Sequence, residues 1–307
     1  MVLRSSRRVH FPWALEGGLV AAGRLAPPGH PEQSAPVRDH LYDEVPFRVP
    51  EIEHRYGGNV HLLADPFLLD LLAKLAAKET EQPAVNNLMV DIYRGLSRVV
   101  LNAEFPRKLV EVPTRMIDHT PEGIWRGQIL EPATRAVTVN IARAGAVPSH
   151  TVYDLLNTVL LPKLVRQDHI IMSRMLGDAD QVVGAGIGGM KIGGDVDGAY
   201  LLFPDPMGAT GSSLSMALDT YKKKVPGTPR KIIALHLVVT PEYLRRMRKD
   251  HPEMVIYAVR LDRGLSPEKV QGTVPGTYWD EEKGLNEHDY IVPGAGGLGE
   301  VMNNAWV

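Results

Sequence analysis

Residues 201–213 read Leu201-Leu202-Phe203-Pro204-Asp205-Pro206-Met207-Gly208-Ala209-Thr210-Gly211-Ser212-Ser213. An apolar strand runs into an acid, a loop of small residues and hydroxyls follows, and a helical pattern then begins. Physically this is an anion cradle. Glycines let backbone amides approach a phosphate closely, and a helix N-terminus adds partial positive charge. Thr210, Ser212 and Ser213 can donate further hydrogen bonds. Asp205, at the carboxyl end of the strand, can accept from sugar hydroxyls, and open α/β sheets bind ligands at that edge. An ordinary turn with a serine cap uses the same residue types; the coincidence of strand, acid, loop and helix favours the cradle.

Around this stretch, strand-like and helix-like runs alternate. Apolar β-rich segments fall at 137–141, 169–172, 199–203, 232–239 and 254–259, with helical patterns at 151–161, 213–224 and 241–250. That order predicts an α/β fold, a mainly parallel sheet with flanking helices. Upstream, 60–104 turns helical. Phe67, Leu68, Leu71, Leu72 and Leu75 recur at spacings of three and four, Asp65-Pro66 is a helix start, and a second helix covers 85–101. The pair predicts an N-terminal helical layer. Residues 1–55, broken by Pro27, Pro28, Pro31, Pro36, Pro46 and Pro50, read as an irregular extended arm that wraps the body or a partner subunit. The expected division is therefore an arm over 1–55 and one domain over 56–307.

The chain has 307 residues, 44% hydrophobic and 23% charged, enough to bury a large core and too apolar to be disordered throughout. The net charge of −2 gives no electrostatic reason to expect nucleic acid. Cysteine is absent, which excludes disulfides, thiol nucleophiles and cysteine-bound zinc. The eleven histidines form no His-Glu-x-x-His pattern. No run approaches the roughly 18 apolar residues of a membrane helix. The start Met-Val-Leu-Arg-Ser-Ser-Arg-Arg is rich in Arg and Ser like a transit peptide, but Glu16, Gly17 and Gly18 interrupt any secretory apolar region, and a cytoplasmic location is expected.

The Asp205-to-Ser213 run resembles the phosphoribosyl diphosphate (PRPP) loop of type I phosphoribosyltransferases, and its Asp-Pro-Met-x-Ala-Thr-Gly-x-Ser form is similar to that of uracil phosphoribosyltransferases. Further stretches agree in order: Arg143-Ala144-Gly145, His169-Ile170 followed by Arg174, His251-Pro252 with Val255-Ile256-Tyr257, and Gly284-Leu285-Asn286-Glu287-His288-Asp289-Tyr290-Ile291-Val292-Pro293-Gly294, which matches the loop that recognises uracil. The resemblance covers about 60–307.

The resemblance implies a type I phosphoribosyltransferase fold. It also implies transfer of phosphoribosyl from PRPP to a pyrimidine base, uracil first, with release of diphosphate, as in pyrimidine salvage. Catalytic roles fall to Asp205 and Arg143. Arg143 and Arg174 would hold the diphosphate, as planar guanidinium forks suit phosphate oxygens. Asp205 would bind the ribose hydroxyls, and PRPP contacts would extend over Met207, Gly208, Ala209, Thr210, Gly211, Ser212 and Ser213. Tyr290, Ile291, Gly296, Gly297 and Leu298 would frame the base. Mg2+ would be held mainly through PRPP, with no protein metal cage. The implied partners are PRPP and a nucleobase, with no nucleic acid or membrane, in a homodimer or higher homo-oligomer.

Some features depart from the pattern. Related chains end the base loop Gly-Leu-Gly-Asp-Ala-Gly-Asp-Arg, whereas this one reads Gly294-Ala295-Gly296-Gly297-Leu298-Gly299-Glu300-Val301. Gly297 thus replaces an acid near PRPP, with Glu300 three positions on as a partial substitute. Two alternatives follow: a non-catalytic PRPP- or nucleotide-binding or regulatory homologue, and a phosphoribosyltransferase for another base. Residues 264–283 look like an insertion, in which Trp279, Asp280 and Glu281 either reshape the mouth of the site or decorate the surface. Gly184-Ala185-Gly186-Ile187-Gly188-Gly189 fits a dinucleotide-binding G-x-G-x-x-G, but Gly193 and Gly194 forbid the helix that motif must open. Residues 177–198 are read instead as a mobile flap that covers substrate. The basic runs 222–224 and 245–249 are read as solvated helix ends.

Overall fold

A computed structural model describes residues 40–176 and 182–305. In chain order its elements begin with β1 (Val60–Leu62), α1 (Pro66–Ala76), α2 (Ala84–Glu104), β2 (Arg107–Pro113), β3 (Ile124–Leu130) and β4 (Ala136–Ala142). Next come α3 (Ala146–Val159), β5 (Val165–Leu176), β6 (Val182–Lys191), β7 (Tyr200–Pro204), β8 (Met207–Gly208) and α4 (Ser212–Lys224). The chain continues with β9 (Lys231–Val239), α5 (Pro241–Asp250), β10 (Val255–Leu261), α6 (Glu268–Gln271) and α7 (Leu298–Val301).

Two compact units emerge. Among the described residues, one comprises 40–46 and 106–132 and the other 47–105, 133–176 and 182–305; most of the expected arm, 1–39, lies outside the described residues. In the described part of the first, β2 and β3 form an antiparallel hairpin from Arg107↔Leu130 to Pro113↔Ile124. Arg126 on β3 grips both oxygens of Asp43 at 2.8 Å and reaches Glu111 at 2.8 Å. The hairpin escaped the sequence reading because β2 is mostly exposed, β3 is mostly half-buried, and neither carries the buried apolar run that marks the central sheet.

The second unit holds an eight-stranded sheet in the order β1-β10-β9-β7-β4-β5-β6, with β8 paired to β9. Every pairing is parallel except β5 with β6. The expected α/β architecture is therefore present. Val137, Val139 and Ile141 of β4 alternate into one core with Leu201 and Phe203 of β7, Leu214, Ala217 and Leu218 of α4, and Tyr243, Leu244 and Met247 of α5. Each such leucine contributes about 1.5–3 kcal/mol by leaving water. Helices α1, α2 and α3 pack with one another and on the strands, burying Leu68, Leu72, Met89, Ile92 and Leu96. Asp65 caps α1 as its sequence predicts, its Oδ1 accepting from the amides of Phe67 and Leu68, both at 3.1 Å.

The stretch read as helical from residue 60 begins instead with β1, whose Val60 and Leu62 bury beside β10. Part of the expected flap is a strand: β6 pairs antiparallel with β5 from His169↔Lys191 to Leu176↔Val182, and 177–181 lie outside the described residues. Glycine is a poor strand former, so composition hid this element. The glycine cluster thus opens no helix. The root of the β5–β6 hairpin is fixed by Asp168, wholly buried, which accepts from Gly193 N at 2.9 Å, Arg166 Nε at 3.0 Å and Tyr221 Oη at 2.5 Å.

Candidate functional site

The 205–213 segment is held from behind by β9. Asp205 N donates to the Leu235 carbonyl at 3.1 Å, and the Pro206 carbonyl accepts from Leu237 N at 3.0 Å and Val238 N at 3.1 Å. Thr240, the N-cap of α5, ties down the next turn: its N donates to the Gly208 carbonyl at 3.0 Å and its Oγ1 to the Ala209 carbonyl at 2.7 Å. Gly208 faces the core, where a Cβ would meet Val239 Cγ1 at 2.9 Å. Gly211 has φ +76°, a left-handed value that suits glycine, and a Cβ there would meet Met247 Cε at 2.8 Å. Thr210 Oγ1 and Ser212 Oγ share a hydrogen bond at 2.9 Å where α4 begins, so the hydroxyls of the loop gather at a helix N-terminus.

Asp205 is half-buried at the end of β7. Burial pushes its carboxyl up to about 6, opposed by one hydrogen bond from Met207 N. Behind it stands His236, whose Nδ1 lies 2.5 Å from the Asp205 carbonyl and whose Nε2 lies 2.6 Å from Tyr243 Oη. Burial holds His236 down to about 4, so it is neutral near pH 7. A carbonyl can only accept, which assigns the proton to Nδ1 and makes Nε2 the acceptor of the Tyr243 hydroxyl. Sequence reasoning missed this chain of groups, since nothing local marks His236.

Arg143 follows β4 on a tight turn. Gly145 N donates to the Ile141 carbonyl at 3.0 Å, and a Cβ on Gly145 would sit 2.9 Å from Ile141 backbone atoms, so the turn needs glycine for close approach. The guanidinium reaches the last described segment: Nη1 donates to the Ala305 carbonyl at 3.2 Å, and Nη2 lies 3.7 Å from Glu300 Oε1. Arg174 lies on β5 opposite Ala185, and its side chain is outside the described residues.

The 284–298 loop folds on Asn286, whose Oδ1 accepts from His288 N at 3.0 Å and Tyr290 N at 2.9 Å. Two acids from other elements hold its ends. Glu242 of α5 accepts from Gly284 N at 3.0 Å and Leu285 N at 3.3 Å, and Asp262 accepts from Gly294 N at 2.7 Å. Ile291 and Leu298 are buried while Tyr290 is exposed. The α7 turn is moored by Gln82 Nε2, which donates to the carbonyls of Val301 at 3.2 Å and Met302 at 3.1 Å, and by Asn86 Nδ2, which donates to Met302 at 3.3 Å.

These segments meet in one cleft of about 340 Å³. Arg143, Met207, Ala209, Tyr290, Ile291, Gly296, Gly297 and Leu298 line it, together with Ala144, Asp289, Gly299 and Glu300. Asp205, Gly208 and residues 210–213 are not among the lining residues. Of the additional lining residues, Ala144 and Asp289 belong to the recognised motifs. The segment 264–283, expected to be an insertion, contributes no lining residue to this cleft. Its Trp279 donates to the Pro241 carbonyl at 3.1 Å, and the neighbouring Glu282, fully buried, binds Tyr56 Oη at 2.5 Å and Arg263 Nη1 at 2.8 Å. The basic residues near it are not simply solvated: Arg248 stacks over the Trp279 ring at 5.3 Å and Arg245 donates to the Glu282 carbonyl at 3.2 Å.

Residues 62–278 match the family model described as uracil phosphoribosyltransferase. The chain belongs to the uracil phosphoribosyltransferase family. A uracil phosphoribosyltransferase of Thermococcus sibiricus is 27% identical over 239 residues, covering 76% of this chain and 85% of that one. One of Dictyoglomus turgidum is 28% identical over 235 residues, covering 76% and 94%. A solved protein from Aquifex aeolicus shares the fold at TM-score 0.60 and 20% identity, covering 81% of this chain and 99% of that one. The fold is thus the type I phosphoribosyltransferase α/β fold. The family match stops short of the 284–298 loop, which is placed at the cleft by the structure. Among the described residues no helix is long and apolar enough to cross a membrane, and no cluster of three His, Asp or Glu side chains could hold a metal.

Proposed function

We propose that the protein transfers phosphoribosyl from PRPP to a pyrimidine base, uracil first, forming a nucleoside monophosphate and diphosphate. One observation carries the reading: the turn at Arg143, the loop at Met207–Ala209 and the loop at Asp289–Leu298, far apart in sequence, line the same cleft. Arg143 takes the diphosphate, Asp205 the ribose hydroxyls, the start of α4 the 5′-phosphate, and Tyr290 to Leu298 the base. A base with alternating N–H and C=O edges suits a loop rich in backbone groups. The site would work by positioning the reactants and stabilising the leaving diphosphate. Mg2+, held mainly through the oxygens of PRPP itself, would supply charge neutralisation at the diphosphate. A homo-oligomer belongs to the same proposal.

Diphosphate release from PRPP with Mg2+ and a panel of pyrimidine and purine bases tests this. Release with uracil is expected. If PRPP binds and no base yields diphosphate, the protein is a binding homologue; if another base alone reacts, uracil is the wrong substrate.

A further inference from the structure

Gly297 lines the cleft without a side chain of its own, yet the space beside it is filled. A Cβ built on Gly297 would lie 2.5 Å from Glu300 Oε2. Glu300 therefore brings a carboxylate into the volume that a side chain at 297 would take. The same residue lines the cleft, and its Oε1 lies 3.7 Å from Arg143 Nη2. The two side chains are 31% and 43% exposed, so an incoming anion can reach the guanidinium. Glu300 is not on a free tail, because Gln82 and Asn86 hold the carbonyls of Val301 and Met302 just after it.

We propose that Glu300 is the resident counter-ion of Arg143, a carboxylate that takes the place of a phosphate oxygen in the cleft and is displaced when a diphosphate group arrives. The inference rests on the proposed function in taking Arg143 as the diphosphate-binding arginine. Two anions that share one guanidinium compete, and the competition is strongest where water is partly excluded. Glu300 thereby keeps the grip on diphosphate loose and hastens its departure. The sign separates this role from a structural one. A side chain that only shaped the cleft would weaken binding when altered, whereas a competing carboxylate strengthens binding when neutralised.

The test is calorimetric titration of inorganic diphosphate into the wild-type protein, Glu300→Gln, Glu300→Ala and the double variant Gly297→Asp with Glu300→Ala. Both single variants are expected to bind about tenfold tighter, with the gain shrinking as salt rises. The double variant is expected to return to wild-type affinity. Gly297 has φ −81°, which admits a side chain, and shortening Glu300 clears the space it needs. Equal or weaker binding in both single variants, or a double variant as tight as Glu300→Ala, overturns the proposal while leaving the anion site standing. If the wild-type protein binds no diphosphate, Arg143 is no anion site, and the proposed function falls with the inference.

Discussion

The two loops that flank the cleft are held in opposite ways. The 205–213 loop is an outgrowth of the sheet: β9 carbonyls and amides grip it, a neutral histidine supports it, and the helix cap Thr240 closes it. The 284–298 loop pairs mainly with itself, through the isolated bridge Leu285↔Ile291, and meets the segment after β10 where Gly264 N donates to the Val292 carbonyl at 3.0 Å. Its amides are gathered by side-chain carboxylates of Glu242 and Asp262 and by the amide oxygen of Asn286. A rigid, ladder-bound loop suits the invariant part of a substrate, the sugar phosphate. A loop held by a few side chains is easier to reshape, which suits the base-framing role given to it in the proposed function.

Four changes would break or sharpen this contrast. The largest effect is expected for Asp205→Asn. Loss of a charged acceptor is worth about 1.5–3 kcal/mol, or roughly a ten- to hundredfold loss of PRPP affinity, read by calorimetry. Its carboxyl sits at about 6 against an ordinary 3.8. The folded protein thus keeps a proton that the unfolded chain releases. Stability therefore falls as pH rises from about 4 to 6 and stays lower above that window. At pH 7.5 Asp205→Asn should be more stable than wild type in urea by up to about 3 kcal/mol, with no difference near pH 3. Wild-type PRPP affinity should drop below about pH 6, and the variant should lose that step. A variant that binds PRPP normally would take Asp205 out of the site.

Glu242→Ala removes the acceptor for the Gly284 and Leu285 amides. An unsatisfied pair of this kind costs about 1–3 kcal/mol, so KM for the base should rise about tenfold while PRPP affinity holds. Equal damage to both would show the loops to be coupled rather than independent. Gly211→Ala forces a side chain into a left-handed conformation against Met247, at a cost of about 1–3 kcal/mol in melting experiments, and should weaken PRPP binding only. The smallest change is Tyr243→Phe, which leaves His236 Nε2 without its donor and costs about 1 kcal/mol in urea unfolding. Base selectivity should not move.

Much of the sheet was legible because its strands are buried and read as continuous apolar runs between helical patterns. β1 was not, being three residues long, and β6 was not, because its glycines conceal a strand whose Ile187 and Met190 pack against the core. Of the cleft, Arg143, the Met207–Ala209 turn and the 290–298 loop announced themselves through local motifs. His236, Glu242 and Asp262 did not, since each acts on backbone groups of a segment distant in sequence, and no spacing rule encodes that. Glu300 stood in plain view as an acid, but only three-dimensional proximity shows it entering the volume beside Gly297.

Gln82 and Asn86, at the start of α2, carry the rim of a cleft more than two hundred positions downstream. A substitution there would be scored as remote from any substrate, yet it would release the short turn that presents Glu300 and, through it, Arg143. In a mutational survey such positions would behave as kinetic variants with near-normal melting curves. A map drawn by distance along the chain would misplace them.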